Sequence, residues 1–188
     1  MTGEGHFSRR IPGLFVNYPG ERVYGTDLTL YEEDERRFTA VLARLWTDSK
    51  SRAVFLIDKS GQLIASAGET ASVDTTSLAS LTAGNIAATG GLAQLLGEKE
   101  FSVLFHEGEK EHLHISVVAQ RGILVVLFDQ RSSLGLVRLR VKRASEDITQ
   151  IFSDMAARTQ QEAGRGRAAF QTEFAQITDE DIENLFMR

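Results

Sequence analysis

The spacing of apolar positions predicts an alternation of helices and strands along the first half of the chain. Apolar residues recur at helical spacing from about Glu32 to Thr47, which predicts a first amphipathic helix. Two short apolar runs, at 53–57 and 62–66, flank a tight turn and predict a β-hairpin. A second helical pattern then covers about 74–96, and a glycine follows it as a stop signal.

Three further strands and a third helix complete the pattern. Apolar runs separated by polar turns predict strands at 101–106, 112–118 and 123–128. A heptad-like apolar stripe from Leu134 to Met155 predicts a long third helix. The order α-β-β-α-β-β-β-α predicts an α+β fold, in which helices pack on the faces of a five-stranded antiparallel meander.

The two ends of the chain lack this patterning. Residues 1–27 hold both prolines of the chain and several glycines, so we expect a poorly ordered arm there. The folded domain is then expected to cover 28–159. Apolar periodicity stops beyond it, which predicts a flexible linker at 160–176 and a separate short helix at 177–188.

The second predicted helix carries two rows of different character. The row assigned to the core comprises Leu78, Leu81, Asn85, Ala88, Leu92 and Leu95. About a quarter turn away lies a seam of small residues, Ser80, Gly84, Ala87 and Gly91, called here the small-residue seam. Each glycine inside a helix costs roughly 1 kcal/mol relative to alanine, so the seam needs a packing reason. Either it packs tightly on the sheet, or it receives an external partner or a dimer mate.

The last residues of the chain carry the signals of a short helix. Thr178 can act as its N-cap with Asp181 as the capping-box partner. Ile182, Leu185 and Phe186 then form one apolar face. Because so short a helix is marginal alone, it either docks on its own domain or folds onto another protein.

Composition excludes several classes of protein. The chain has no cysteine, so it has no disulfide, no Cys-ligated zinc and no thiol nucleophile. The net charge of -5 argues against a nucleic-acid partner. No apolar run approaches the roughly 18 residues that would span a bilayer. These features predict a soluble, single-domain protein.

Candidate catalytic and metal-binding groups are sparse. The chain has no phosphate-binding loop of known spacing and no Gly-x-Ser-x-Gly elbow. His106, His112 and His114 are the only plausible metal cluster, and facing histidines on an exposed hairpin more often decorate a sheet. A basic patch at the start of the third helix, Arg138, Arg140, Lys142 and Arg143, is either a solvated face or a contact for an acidic partner. The sequence predicts no metal, no cofactor and no intrinsic catalysis.

Three segments resemble a known family. The hairpin at 54–64 looks like the first hairpin of roadblock/dynein-light-chain domains. The run at 74–85, DTTSLASLTAGN, closely resembles the second helix of bacterial MglB proteins, a branch of that family. The terminal run at 177–186, ITDEDIENLF, extends the likeness, which covers roughly 25–188.

The resemblance implies a homodimer that regulates MglA, a small Ras-like GTPase of bacterial cell polarity and gliding motility. It implies that two protomers bind one GTPase and accelerate GTP hydrolysis in the cytoplasm, with enrichment at a cell pole. The seam, Ser80, Gly84, Ala87 and Gly91, corresponds to the GTPase-binding face. The second helix and the edge strand with Phe101, Val103 and Phe105 correspond to the dimer interface. The segment with Ile182, Leu185 and Phe186 resembles one that docks away from the nucleotide and is implicated in nucleotide exchange.

The resemblance also implies activation without an inserted arginine. By position, Arg131 would be the candidate finger. The family is instead understood to reshape the GTPase so that its own arginine and glutamine reach the transferring phosphate. Two other functions remain open: a roadblock scaffold that holds a GTPase or motor complex without changing turnover, and a small-molecule sensor. For the sensor, no convergent polar residues can be placed from the sequence.

Overall fold

The structure, a computed structural model, describes residues 22–24 and 28–174 of the chain. This part consists of two small strands, a five-stranded sheet and three helices. The helices are α1 (Glu32–Ser49), α2 (Thr75–Leu95) and α3 (Leu134–Phe174). The strands are β1 (Arg22–Tyr24), β2 (Leu28–Leu30), β3 (Ala53–Asp58), β4 (Leu63–Gly68), β5 (Val103–Glu107), β6 (His112–Val118) and β7 (Gly122–Phe128). The predicted α+β fold with its element order is confirmed for the main sheet.

The five-stranded sheet has the order β4-β3-β7-β6-β5, and all neighbours are antiparallel. Only β5, β6 and β7 form a meander, so the predicted simple meander is wrong in its connectivity. The reason is that the connection through α2 carries the chain from one edge of the sheet to the other. The hairpin of β3 and β4 then joins the meander through the β3–β7 pairing.

The sheet lies between two helical layers. On one face α1 and α3 enclose the larger core, to which Phe38, Leu56 and Ile148 contribute. On the other face α2 covers a smaller core around Phe55 and Val125. Every residue of β3 and β7 is buried, which explains their continuous apolar runs and makes these two strands the centre of the domain.

The chain ends differ from the sequence prediction. Helix α3 continues without a break to Phe174, so the flexible linker predicted at 160–176 is wrong over 160–174. Apolar periodicity reports a buried face and not helicity itself, and the alanines, glutamines and arginines of this stretch are strong helix formers that outweigh two glycines. The predicted arm at 1–27 is wrong for Arg22–Tyr24, which pair with Leu28–Leu30. The helix predicted at 177–188 lies outside the described residues.

Candidate partner-binding surface

Small side chains form the face of α2 that meets the sheet. Its buried residues are Ala79, Thr82, Thr89 and Ala93. The hydroxyl of Thr89 donates to the backbone carbonyl of Asn85 at 2.8 Å, so the helix itself satisfies this buried polar group. Asp74 caps the helix by accepting from the Ser77 backbone N–H at 3.1 Å. Small residues on this face let the helix lie close to the sheet.

Three of the larger apolar residues of α2 point away from the sheet, whereas Leu78 and Ile86 pack against it. Leu81, Leu92 and Leu95, called here the leucine row, are 74%, 54% and 84% exposed. The predicted core stripe is therefore wrong at these three positions and at Ala88, which is also exposed. The prediction rested on the rule that the largest apolar residues face the domain core, whereas in this helix Leu81, Leu92 and Leu95 face outward. The alanines and threonines spaced along the opposite face were the sequence signal for this orientation.

The small-residue seam also faces outward. Ser80, Gly84, Ala87 and Gly91 are all exposed. A Cβ atom added at Gly84, Gly90 or Gly91 would meet no heavy atom within 4 Å. Internal packing therefore does not explain these glycines, and the interpretation that the seam packs on the sheet is wrong. The seam and the leucine row together form a continuous outward face of one helix, small on one side and apolar on the other.

Strand β5 is an edge of the sheet. Its neighbour is β6, and the Ser102 carbonyl accepts from the Val117 N–H at 2.9 Å. Because bonding groups alternate along an antiparallel strand, the main-chain groups of Val103 and Phe105 point to the open edge. Val103 is 46% exposed, whereas Phe105 is half-buried against Phe128. Phe101 is half-buried and precedes the strand.

Exposed apolar side chains occur at the end of α2 and at the start of β5. Leu95, Leu96 and Val103 are among the exposed large hydrophobic residues of the described chain. The unpaired edge and these residues are joined by a short connection in sequence. An exposed apolar surface beside an open strand edge is typical of a protein that associates with another chain.

Arg131 is held by carboxylates of its own domain. It lies between β7 and α3, and its Nε donates to both carboxylate oxygens of Asp129 at 3.0 Å. Its Nη1 donates to Oε1 of Glu69 at 3.0 Å. These hydrogen bonds lower the pKa of Asp129 and raise that of Arg131. The guanidinium is therefore engaged with two partners and is not a free cation.

The three candidate metal-binding histidines do not share one face of the sheet, since His106 is opposite to His112 and His114. His106 approaches α2, where its Nε2 lies 3.4 Å from Asn85 Nδ2. His112 lies against Phe105 and Phe128, and His114 is buried. Within the described residues no group of three or more His, Asp or Glu side chains is placed to hold a metal ion.

Comparison with known proteins identifies the family. A family model described as the Roadblock/LC7 domain matches residues 37–128. The chain is 57% identical to Myxococcus xanthus MglB, and the match covers 68% of this chain and 96% of that one with a TM-score of 0.65. The chain belongs to the MglB family of roadblock proteins.

Two other solved structures bear on this MglB assignment. A gliding protein, MglB of Thermus thermophilus, is 34% identical, with 70% of this chain and 99% of that chain covered and a TM-score of 0.64. A Roadblock/LC7 domain from Streptomyces avermitilis, at 12% identity and a TM-score of 0.56, covers 61% of this chain and 97% of its own and shares the fold alone. No curated protein matches the chain.

None of the described helices of this MglB-type chain has the length and apolar character needed to cross a membrane. The predicted partner-binding residues Ile182, Leu185 and Phe186 lie outside the described residues, so the candidate surface rests on α2 and β5.

Proposed function

We propose that this chain is a homodimeric regulator of a small Ras-like GTPase of the MglA type and that it stimulates GTP hydrolysis in cell polarity and gliding motility. The observation that supports this proposal is the outward small-residue seam of α2. A Cβ atom at Gly84 or Gly91 would meet no atom of the domain within 4 Å, and all four seam residues are exposed in the described part of the chain. MglB membership supports an MglA-type GTPase as the partner in this proposal, with two protomers expected per GTPase.

The seam suits a partner that must come close to the helix backbone. Without side chains at Gly84 and Gly91, another main chain can lie within van der Waals distance of α2. Each glycine lowers the stability of the helix by roughly 1 kcal/mol relative to alanine, and a binding role explains why glycine is present despite this loss. Close contact along a rigid helix would hold the GTPase in the arrangement in which its own arginine and glutamine reach the phosphate.

The test of the proposal is GTP hydrolysis by the MglA-type GTPase of the same organism, measured with and without this chain. Strong stimulation supports a GTPase-activating protein. Tight binding with unchanged turnover would instead leave a scaffold that holds the GTPase or a motor complex. Absence of both binding and stimulation would contradict the partner assignment.

The dimer contact in this proposal is the open edge of β5. Two such edges can pair about a two-fold axis, because the outward main-chain groups of Val103 and Phe105 are self-complementary. The leucine row and Leu96 lie on and beside the helix that precedes this edge and would be covered in the dimer. Phe101 would lie where the second helix leads into the edge strand.

Val103→Pro is expected to give a monomer that remains folded. Proline removes the outward N–H of Val103 but none of the hydrogen bonds to β6, and edge strands tolerate it. Light scattering after gel filtration measures the mass, and thermal unfolding measures stability. Leu104→Pro is the comparison, since the Leu104 N–H points to β6 and its loss should cost several kcal/mol of stability. A dimer that persists in Val103→Pro contradicts the β5 interface.

Arg131→Ala is expected to change the stimulated hydrolysis rate by less than about threefold. An inserted arginine finger is worth roughly 10³–10⁵ in rate, whereas Arg131 is already bound to Asp129 and Glu69. Single-turnover hydrolysis with saturating regulator measures the effect. Arg121→Ala, which removes an exposed arginine between β6 and β7, is the charge-matched control. A loss of a hundredfold or more with binding intact would make Arg131 a finger.

The terminal segment has a separate part in the proposal. Ile182, Leu185 and Phe186 are proposed to dock on the GTPase away from the nucleotide and to tune nucleotide exchange. A chain shortened to end at Gln176 keeps α2 and β5, so it should still dimerise and bind through the seam. Release of a fluorescent guanine nucleotide, measured with the full and the shortened chain, separates exchange from hydrolysis. Identical exchange rates would contradict the assignment.

A further inference from the structure

A cleft of about 830 Å³ lies on the face of the sheet opposite α2. Strands β5 and β6 contribute Val103, His114 and Ser116, and α3 contributes the facing wall. Its volume falls within the range of roughly 300–1,000 Å³ that is common for small-molecule sites. The cleft is therefore a second candidate site, on the other face of the domain from the proposed GTPase contact.

Two buried polar groups in this cleft lack a hydrogen-bond partner. His114 is 2% exposed and its Nδ1 has none among the described residues, and the same holds for Oγ of Ser116, which is 5% exposed. The two residues are separated by one position on β6, so their side chains point to the same face. An unpaired buried polar group costs about 1–3 kcal/mol. Two such groups side by side indicate a site in which a bound molecule supplies the partners.

The facing wall supplies positive charge. Arg138 and Lys142 lie one helical turn apart on α3 and both line the cleft. Neither forms an ion pair within the part of the chain that the structure describes. Glu146 lies one turn further along the same wall and offsets part of this charge at that end. The end of the cleft near Arg138 and Lys142 is therefore the cationic one.

His114 belongs to this cationic end. Burial lowers the pKa of its imidazole below the usual value, and the positive charge of Arg138 lowers it further. The ring is therefore neutral near pH 7, so it does not repel the Arg138 guanidinium, and its Nδ1 is available as a hydrogen-bonding group. The side chains of Val103 and Val141 make part of the remaining lining apolar.

We propose that this cleft binds a small organic anion with an apolar body. The anionic group lies against Arg138 and Lys142, a polar atom of the ligand bonds to His114 Nδ1 and Ser116 Oγ, and the apolar body covers the valines. The carboxylate or phosphate of a metabolite would each satisfy this chemistry. The site is complete within one protomer and does not depend on the GTPase assignment.

Two probes of this chemistry, 2-naphthoate and 2-naphthyl phosphate, test the site on the full chain. The ring resonances of His114 in NMR spectra report occupancy of the cleft itself, apart from any binding to the leucine row. Both anions are expected to shift these resonances saturably, with 2-naphthol, the neutral body, binding at least tenfold more weakly. Inorganic phosphate alone is expected to bind more weakly than 2-naphthyl phosphate, since it lacks the apolar body. A difference between the two naphthyl anions assigns the preferred anionic group.

Charge variants decide whether the wall of α3 holds the anion. Arg138→Gln combined with Lys142→Gln should weaken binding of the naphthyl anions at least tenfold while thermal unfolding is unchanged, because both side chains are exposed. Arg121→Gln combined with Arg143→Gln removes the same charge outside the cleft and should leave binding unchanged. Unmoved His114 resonances at millimolar probe, equal binding of 2-naphthol, or equal loss in both double variants would each overturn the proposal.

Discussion

Ala87→Arg is expected to abolish stimulation of GTP hydrolysis while the domain remains folded. Ala87 is exposed on the outward face of α2, so an arginine there extends from the domain surface and places a long cation in the small-residue seam. Disruption of a hot spot of an interface costs about 2 kcal/mol or more, roughly a thirtyfold or greater loss of affinity. Phosphate release at increasing concentrations of the variant, with the MglA-type GTPase, measures the loss.

Gly91→Arg separates the partner-binding role from internal packing. Because a Cβ at Gly91 meets nothing within 4 Å, and arginine favours a helix over glycine, this variant should gain up to about 1 kcal/mol of stability. It should nevertheless lose stimulation as Ala87→Arg does. An increase in melting temperature together with a loss of function is not expected of a packing residue.

The control for both variants is Leu139→Arg. Leu139 is 63% exposed on α3, in the helical layer on the opposite side of the sheet, so the added charge is the same while the seam is untouched. This variant should stimulate hydrolysis normally. If Ala87→Arg or Gly91→Arg unfolded, the seam would be shown to pack inside the domain. If either variant stimulated hydrolysis normally, the GTPase would not bind at α2.

The orientation of α2 shows where sequence patterns stop being informative. Apolar runs and turn signals predicted the strands of the main sheet and the three helices. The signal is clearest for β3 and β7, because both strands are buried on both faces and are therefore continuous apolar runs in the sequence. For α2 the rule that large apolar side chains face inward was wrong at Leu81, Leu92 and Leu95, which are exposed. The fully buried residues of this helix are alanine and threonine, and only Leu78 of the predicted leucines packs on the core. A helix apolar on both sides does not reveal by itself which side meets its own domain.

The cleft and the continuation of the third helix to Phe174 were not predicted, for different reasons. His114 and Arg138 lie on separate elements, and only the packing of α3 against β6 brings them to one site. A strand pattern does not report a contact over such a sequence separation. The continuation of α3 to Phe174 depends on helix propensity, which persists after the apolar stripe has ended.

Asp34→Ala is expected to destabilise the domain by about 2–4 kcal/mol, somewhat less than the roughly 3–5 kcal/mol for breaking a fully buried ion pair, because the Arg158 side chain is 32% exposed. Asp34 is fully buried in the first turn of α1, where the helix dipole favours a negative charge. Its Oδ2 accepts from Arg158 of α3 at 2.6 Å and from the Tyr31 backbone N–H at 3.3 Å. The guanidinium of Arg158 also lies 5.0 Å from the centre of the Tyr31 ring. Loss of the carboxylate therefore removes the hydrogen bond to the N-terminus of α1 and the ion pair between α1 and α3.

Thermal and urea unfolding measure this loss, and we expect the melting temperature to fall by about 5–15 °C. Glu32→Ala is the matched control, because it removes an acid from the same helical turn whose ion pair with Arg36 is exposed. Exposed pairs contribute little, so this variant should stay within about 0.5 kcal/mol of the parent chain. Asp34→Asn keeps an acceptor for the Tyr31 N–H but not the charge, and should lie between the two. If Asp34→Ala were no less stable than Glu32→Ala, the α1–α3 layer would be held by its apolar contacts, such as the Phe38–Phe152 ring pair at 5.0 Å, and not by this buried charge.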